Sequence, residues 1–323
     1  MAQKAFRPAA ELVARFRRQR PVRGGSLIVT IFGDAIMPRG GAIALGSLIE
    51  LSAPFGLNER LVRTAMARLA QGGTLESRRA GKLSEYRLTQ SGRVRFAEAT
   101  RRIYDDSDAD WSGRWTLAIL PPMRAAERQE LREDLLWRGF GEISPNVFAH
   151  PKIDSRAFVL ECRRVGGEPK LFLFDADLTG VEAPSRLVSL GWDLQDLSVR
   201  YQRFAQRFER VHAALRDPAS LDEQSCFIVR TLLIHEYRRL HLRDPLLPVR
   251  LLPVDWPGAR AAELCREIYS AIFPASEQHL SRVGAHLDGP LPAPDPAVLQ
   301  RFGGIGPITA LRRATAPASS PPD

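Results

Sequence analysis

LNERLVRTAMARLAQGGTLESRRAGKLSEYRLT, residues 57–89, carries the clearest structural pattern in the first third of the chain. Asn58 precedes a run of helical periodicity, and its side chain can accept a hydrogen bond from an unpaired amide of the first helical turn. The apolar side chains that follow recur at helical spacing and predict one buried stripe: Leu61, Val62, Ala65, Met66 and Leu69. We therefore predict a helix that starts at Asn58, ends at Gly72-Gly73 and presents a polar face.

A basic hairpin is predicted directly after this helix. TLESRR at 74–79 and SEYRLT at 84–89 are two short runs joined by Ala80-Gly81-Lys82, which indicates a turn with a cationic tip. A capped helix followed by a basic hairpin is the outline of a winged helix-turn-helix. For the helix taken alone, a solvated arginine face is the competing interpretation.

The polar side chains of this stretch have the chemistry that double-stranded DNA requires. A helix fits the major groove, arginine bonds guanine bidentately, and short polar side chains near a helix start reach base edges. We expect five residues near base edges: Asn58, Glu59, Arg60, Arg63 and Thr64. We expect four others to hold phosphates: Arg68, Arg78, Arg79 and Lys82.

The positive charge of the chain is concentrated at its start. Residues 1–103 contain 19 Lys or Arg and 7 Asp or Glu, which gives +12, whereas the whole chain carries +9, so the remainder carries −3. A basic head joined to a mildly acidic body is typical of a DNA-binding protein, because phosphate attraction needs charge on one surface only. A basic membrane-binding or RNA-binding module would give the same distribution.

Composition also limits the class of protein. Residues 1–20 carry charges where a secretory signal is apolar, and the sequence has no run of about 18 apolar residues. The three cysteines, Cys162, Cys226 and Cys265, are far apart and form no CxxC pattern. We therefore predict a cytoplasmic protein without a membrane span, a disulfide framework or a zinc module.

The chain is predicted to be a multidomain α+β protein. Its segments are a basic helical extension at 1–24, a winged-helix domain at 25–104, an α+β domain at 111–183, a mostly helical domain at 185–283 and a Pro- and Ala-rich tail at 284–323. The extension carries an amphipathic helix at 8–20 that could lie along DNA or pack on a neighbouring subunit. We expect the tail to be mobile.

Inside the winged-helix segment, polar residues precede three further predicted helices. Ser26 would cap the apolar run SLIVTIFGDAI, Ser47 would cap LIELSA, and Thr89 would cap SGRVRFAEATRRIY. Between the first two, residues 42–45 predict a short strand.

The two later domains are predicted from their apolar patterns. In the middle, WTLAIL, NVFAHP, AFVLECRRV and KLFLFDADL indicate strands and MRAAERQELREDLLWRGF a helix, an order that suits a ferredoxin-like sandwich. Beyond it, helices are predicted at 185–217, 221–244 and 258–273. A Cas2-type nuclease needs a metal-binding carboxylate after its first strand, where this chain has Ala118-Ile119-Leu120-Pro121-Pro122. We predict that the middle domain is a scaffold or dimer interface.

Several separated blocks together resemble the PaaX family of phenylacetic-acid catabolon repressors. They are SLIVTIFGDAI, APFGLNERLVRTAMARLAQGG, EYRLTQSGRVRF, WSGRWTLAIL and EYRRLHLRDPLLPVRLLPVDWPG, in order between about residue 25 and residue 281. The resemblance implies a homodimeric transcriptional repressor with an N-terminal winged helix, a central ferredoxin-like domain similar to Cas2 and a helical C-terminal domain. It also implies that phenylacetyl-CoA, rather than free phenylacetate, releases the protein from its operator.

Candidate effector contacts lie in the predicted helix at 221–244. We expect the aryl-CoA in or beside the C-terminal helices, away from the winged helix, with His235, Tyr237, Arg238 and Arg239 as contacts, because arginines suit CoA phosphates and aromatic rings stack. The alternative is a core histidine beside solvated arginines. His235 and His241 are six residues apart and point in nearly opposite directions on a helix, so no metal site is predicted.

The functional hypotheses that follow belong to three classes. The first is a DNA-binding repressor of phenylacetate catabolic genes, without a catalytic residue or a cofactor other than its effector. The second is an enzyme that acts on CoA thioesters or nucleic acid and uses the winged helix as a docking module. The third is an architectural DNA-binding protein without an effector.

Overall fold

The computed structural model describes residues 6–19, 24–81, 83–105, 111–164, 170–179, 183–216 and 221–305. These residues form a mixed α/β structure with helical N- and C-terminal parts. The chain divides into two compact units: unit 1 comprises Met1–Asp105, Phe204–Arg238 and Arg260–Asp323, and unit 2 comprises Asp106–Arg203 and Arg239–Ala259. Unit 1 thus joins the first hundred residues to later stretches of the chain, whereas the sequence predicts separate N- and C-terminal domains.

The first part of unit 1 contains five helices and three strands in its described residues. They are α1 (Arg7–Arg18), α2 (Gly24–Ile31), β1 (Ala42–Ala44), α3 (Leu45–Ser52), α4 (Glu59–Gln71), β2 (Leu75–Ala80), β3 (Leu83–Leu88) and α5 (Gln90–Tyr104). One π-helical turn and one 3-10 turn extend α2 to residue 39. The strands pair antiparallel in the order β1-β3-β2.

Two of the predicted helix caps are confirmed. The Asn58 side chain accepts a hydrogen bond from the amide of Leu61 at 2.9 Å, and the Thr89 hydroxyl accepts one from the amide of Gly92 at 3.0 Å. Both side chains satisfy an amide that the helix itself leaves unpaired.

The caps predicted at Ser26 and Ser47 are wrong, because both helices start earlier than the serines. Helix α2 starts at Gly24 and α3 starts at Leu45. The hydroxyls of the two serines accept hydrogen bonds from later parts of the chain instead, from the side chain of Arg238 and from the backbone amide of residue 285. Local sequence could not reveal these partners.

Helix α1 packs into unit 1 through its apolar stripe. Its Leu12 and Phe16 are buried, and the Phe16 ring meets His235 edge to face at 5.7 Å. Arg17 donates to the carbonyls of Pro54 and Phe55. The amphipathic helix predicted here therefore contacts its own chain.

Unit 2 contains a four-stranded antiparallel sheet. Its elements are β4 (Arg114–Ile119), α6 (Ala125–Trp137), β5 (Gly141–Ser144), β6 (Val147–His150), α7 (Ser155–Arg164), β7 (Phe172–Asp177) and α8 (Pro184–Gly191), and the strand order is β5-β6-β4-β7. Alternate residues of β4 enter different apolar clusters, Ala118 one and Trp115 another. Both faces of β4 are therefore packed against apolar side chains.

The strand predicted for AFVLECRRV is wrong, since these residues form most of α7. Asp154 accepts a hydrogen bond from the amide of Ala157 at 2.7 Å and so caps the helix. Phe158 and Cys162, four residues apart, pack against one cluster, which is helical rather than strand spacing. Strand β5 is a further difference, since the sequence predicts no strand at 141–144.

The remaining helices are α9 (Leu194–Ala214), α10 (Glu223–His241) and α11 (Pro257–Val283). Asp222 caps α10 by accepting from the amide of Ser225 at 2.8 Å, near the predicted start. Helix α11 continues through Pro274 beyond its predicted end at residue 273.

Residues 284–305, which lie in the predicted mobile tail, are structured and belong to unit 1. They form a small hairpin of β8 (Ala285–His286) and β9 (Gly289–Pro290), followed by a 3-10 helix. The amide of Leu287 donates to the buried carboxylate of Glu85 on β3 at 2.9 Å. Further on, Arg301 and Phe302 are buried. Residues 306–323 of the tail lie outside the described residues.

A buried ionic cluster around Asp34 holds unit 1 together. Arg230 of α10 donates to the Asp34 carboxylate at 2.6 Å, and Arg301 donates to it at 2.7 Å. The hydroxyls of Tyr104 and Tyr269 donate to the same carboxylate at 2.7 and 2.9 Å. A second carboxylate, that of Glu277, accepts from Arg230 and, at 2.5 Å, from Arg39.

The arginines determine the ionisation of Asp34. Burial alone would raise the pKa of Asp34, but the charges of Arg230 and Arg301 outweigh that effect, so the pKa lies below its ordinary value of 3.8. The stabilising effect of the charged carboxylate is therefore complete above the ordinary pKa and is lost as the pH falls through the folded value.

We expect Asp34→Asn to lower the free energy of unfolding by about 3–5 kcal/mol at neutral pH, because it leaves Arg230 and Arg301 buried without their counter-charge. Urea unfolding followed by circular dichroism measures the change. Glu11→Gln is the control, since it breaks an exposed pair with Arg7 that is worth at most about 1 kcal/mol. Equal losses in the two variants would contradict the structural role of the cluster.

Candidate nucleic-acid interface

Helix α4 is fixed to unit 1 by one face and leaves the other face exposed. Val62 and Met66 are fully buried, and Ala65 is nearly so. At Gly24 the first turn of α2 approaches α4 so closely that a Cβ would lie 2.4 Å from the side chain of Leu61. The outer face of α4 is therefore presented by a helix whose position is set by tight packing.

Eight of the nine residues predicted to contact DNA are exposed. They are Asn58, Glu59, Arg60, Arg63, Thr64 and Arg68 on and before α4, with Arg78 and Arg79 on β2. The ninth, Lys82, lies outside the described residues. The α4 residues all come from one helix of unit 1, and the sheet that contains β2 belongs to the same unit.

Local contacts constrain several of these side chains. Arg63 donates to Glu59 at 2.7 Å, one helical turn away, and the Thr64 hydroxyl donates to the carbonyl of Arg60 at 2.8 Å. On β2, Arg78 pairs with Asp288 of the small hairpin at 3.3 Å. The carboxylate of Glu59 thus orients the guanidinium of Arg63 on an exposed surface.

A cavity of about 710 Å³ opens beside α4. Arg60, Thr64 and Arg68, which are spaced one turn apart, form one wall. The first turn of α2, Arg238 of α10 and the apolar side chains of Val29, Leu61, Ala65 and Leu69 also line it. Three of the described lining residues are arginines and none is acidic, so the cavity suits an anion.

The candidate effector residues of α10 do not form one site in the described part of the chain. His235 is buried, with Nδ1 3.0 Å from the Thr30 hydroxyl, which itself donates to the carbonyl of Ser26. Tyr237 is also buried and packs against the rings of Phe204 and Phe302. Both side chains belong to the packed core of unit 1.

Arg238 and Arg239 are half-buried, and Arg238 lines the cavity beside α4. Its guanidinium donates to the carbonyl and hydroxyl of Ser26, both at 2.9 Å. The sequence predicts Arg238 in an effector site apart from the winged helix, whereas in the structure it lines the same cavity as Arg60 and Arg68.

A second cavity, of about 250 Å³, lies between α2, α5 and α10. Its apolar lining includes Val29, Phe96, Ala99, Ile103 and Ile234. Sequence reasoning missed this cavity because each of these residues looks like an ordinary core position on its own helix. The available signal was the apolar inner face of α5.

The described residues contain no group of three His, Cys, Asp or Glu side chains that could hold a metal ion. Burial raises the pKa of the Cys226 thiol to about 12 and raises that of Cys265 as well, so neither is a thiolate at neutral pH. Within the same residues, no helix is long and apolar enough to cross a membrane.

Three models of one protein family match successive parts of the chain. The model of PaaX-like protein matches residues 23–92, the PaaX protein central Cas2-like domain matches residues 108–188, and the PaaX-like protein C-terminal domain matches residues 192–282. Together they cover more than half of the chain.

A sequence relative and a solved structure are also similar. The transcriptional repressor PaaX of Escherichia coli (strain K12) is 35% identical over 289 residues, which span 88% of this chain and 92% of that protein. The structure of uncharacterized protein Rv0674 from Mycobacterium tuberculosis is 26% identical, covers 71% of this chain and 88% of its own, and has a TM-score of 0.47.

Proposed function

This chain belongs to the PaaX family, and from that premise we propose that it is a DNA-binding transcriptional repressor of phenylacetate catabolic genes. The observation that carries the proposal is the outer face of α4, which is anchored by buried Val62 and Met66 and leaves its arginines exposed. The same family match favours a regulator over an enzyme that acts on CoA thioesters or nucleic acid.

The DNA-binding head is proposed to be a winged helix, with α4 as the recognition helix and β2–β3 as the wing. The element order β1-α3-α4-β2-β3 and the sheet order β1-β3-β2 support this assignment. Asn58, Glu59, Arg60, Arg63 and Thr64 would then face base edges in the major groove. Arg68, Arg78, Arg79 and Lys82 would hold phosphates and fix the register.

The body is proposed to carry the self-association of a homodimer. In chain order its four strands lie second, third, first and fourth across the sheet, which supports a ferredoxin-like domain. The edge strand β7 exposes Phe172 and Phe174 on one face, with 58% and 51% of their surface accessible. A two-fold dimer would present paired recognition helices to a palindrome-like operator.

An effector ligand controls repressors of this family, and we propose phenylacetyl-CoA as the effector of this one. The ligand must favour the state that is not bound to DNA, because a ligand with equal affinity for both states shifts nothing. Arginine side chains suited to CoA phosphates support the choice of a thioester over a free acid.

We expect Arg63→Ala to weaken binding to the upstream region of the protein's own gene by about 1–3 kcal/mol, because a base-edge contact is lost, and to leave binding to unrelated DNA unchanged. Gel-shift titrations measure both affinities. Arg7→Ala is a matched control, since Arg7 forms a similar exposed pair with Glu11 on another helix. Equal losses on both DNAs would make Arg63 a phosphate contact. Equal wild-type affinity for both DNAs would instead indicate an architectural protein.

Arg79→Ala should reduce the slope of log affinity against log salt concentration by about one unit, because one fewer phosphate is neutralised. Binding isotherms at four salt concentrations give the slope, again with Arg7→Ala for comparison. An unchanged slope would remove the hairpin residue from the set of DNA contacts.

Phenylacetyl-CoA added to the protein–operator complex should release the DNA, whereas equal concentrations of phenylacetate should not. Fluorescence anisotropy of labelled operator DNA follows the release. A complex that persists at saturating thioester would exclude this effector and leave the repressor function intact.

A further inference from the structure

We propose that the effector binds to unit 1 itself, in the two adjoining cavities beside α4, and displaces DNA by occupying the arginine wall of the recognition helix. The inference rests on the proposed function of an effector-controlled repressor. The ligand class that fits is an aryl-acyl coenzyme A thioester, which joins a polyphosphate to an aromatic ring.

The larger cavity can hold phosphate groups at its arginines, while Val29, Leu61, Ala65 and Leu69 give it an apolar part as well. Its volume of about 710 Å³ is in the usual range for pockets that hold cofactor-sized ligands. Arg60, Arg68 and Arg238 enter it from two helices, and guanidinium groups bind phosphates with paired, charge-assisted hydrogen bonds. Asn58 and Thr64 add neutral polar side chains to the same lining.

The smaller cavity has the chemistry of a ring site. Its volume is about 250 Å³, and an apolar cavity of about 150 Å³ is enough to hold benzene. Phe96 offers an aromatic face, and Ala99, Ile103 and Ile234 add apolar side chains to a lining that also includes Asp34 and Arg95. A phenyl group can therefore be buried there without leaving a polar atom of the ligand unpaired.

The two cavities share part of their walls. Val29, Leu69 and Arg238 line both of them, so the cavities adjoin, and the proposed ligand places a part of itself in each. A free aryl acid would fill the small cavity alone, and coenzyme A would fill the large one alone. The thioester makes contacts in both cavities, so it should bind more tightly than the aryl acid or coenzyme A alone.

Occupancy of the large cavity conflicts directly with DNA binding. Arg60, Thr64 and Arg68 line the cavity and are also proposed DNA contacts, so a phosphate-rich ligand there neutralises the charges that the duplex needs. Arg63, which pairs with Glu59, is not part of the lining. Release by this route is competition for one surface, and a signal from a remote domain is unnecessary.

The site is tested with full-length protein by calorimetric titration of phenylacetyl-CoA in the absence of DNA. Ala99→Leu puts a larger side chain into the ring cavity, so we expect the thioester to bind roughly tenfold more weakly or worse. Operator affinity without ligand should stay within about twofold. Ala97→Leu, the same change on the same helix at a position outside both cavities, is the control and should alter neither affinity.

Unchanged thioester affinity in Ala99→Leu would overturn the ring site, provided circular dichroism shows a folded protein. A photoreactive azidophenyl analogue of the thioester gives a readout that needs no variant. We expect it to label the peptide that contains residues 95–104, and labelling confined to unit 2 would also overturn the site.

Competition is tested by repeating the titration with saturating operator DNA. The apparent dissociation constant of the thioester should rise in proportion to the DNA concentration, and coenzyme A alone should also release DNA, although at higher concentration than the thioester. A stable ternary complex, or coenzyme A that fails to compete, would overturn occupancy of the arginine wall. If the wild-type protein binds no upstream DNA, the proposed repressor function is wrong. The titrations of the ligand without DNA still test the proposed ligand site in that case.

Discussion

The carboxylate of Asp34 fixes separate stretches of unit 1 to one point. It accepts hydrogen bonds from Arg230 of α10 and from Arg301 near the C-terminus, and from the hydroxyls of Tyr104 and Tyr269 on α5 and α11. A buried charge is tolerated only when it is paired and its lone pairs are satisfied, so these segments must come together or the carboxylate must be protonated. The position of α10 against α2 and α5 follows from this requirement.

The cluster has a functional consequence through α10. Two turns beyond Arg230, the same helix supplies Arg238, which bonds to Ser26 and lines the cavities beside α4. The proposed recognition helix and the proposed ligand contacts are thus parts of one compact unit. A repressor built in this way can sense a metabolite where it reads DNA, because the same arginines attract the phosphates of either partner.

Local signals were sufficient where a structure depends on neighbours in sequence. Helix α4 and its cap, the β2–β3 hairpin and the start of α5 follow from residues a few positions apart. Local signals gave wrong predictions where a residue's structure depends on a partner far away in sequence. Ser47 lies inside α3 and accepts a hydrogen bond from the amide of residue 285. The Pro- and Ala-rich segment after residue 284 is structured because the Glu85 carboxylate of β3 accepts the amide of Leu287 and Asp34 accepts from Arg301. For α7, the apolar residues were interpreted as a strand, although they belong to a helix.

The family, the basic head and the exposed arginine face of α4 could all be predicted from the amino-acid sequence, because periodicity, capping and charge depend on short stretches of residues. Tertiary structure alone decided that α10 packs on the head, that Arg238 lies with Arg60 and Arg68, and that an apolar cavity adjoins them. Those facts depend on a buried charge that must find its counter-charges nearly two hundred residues or more away along the chain. No local pattern encodes such a pairing.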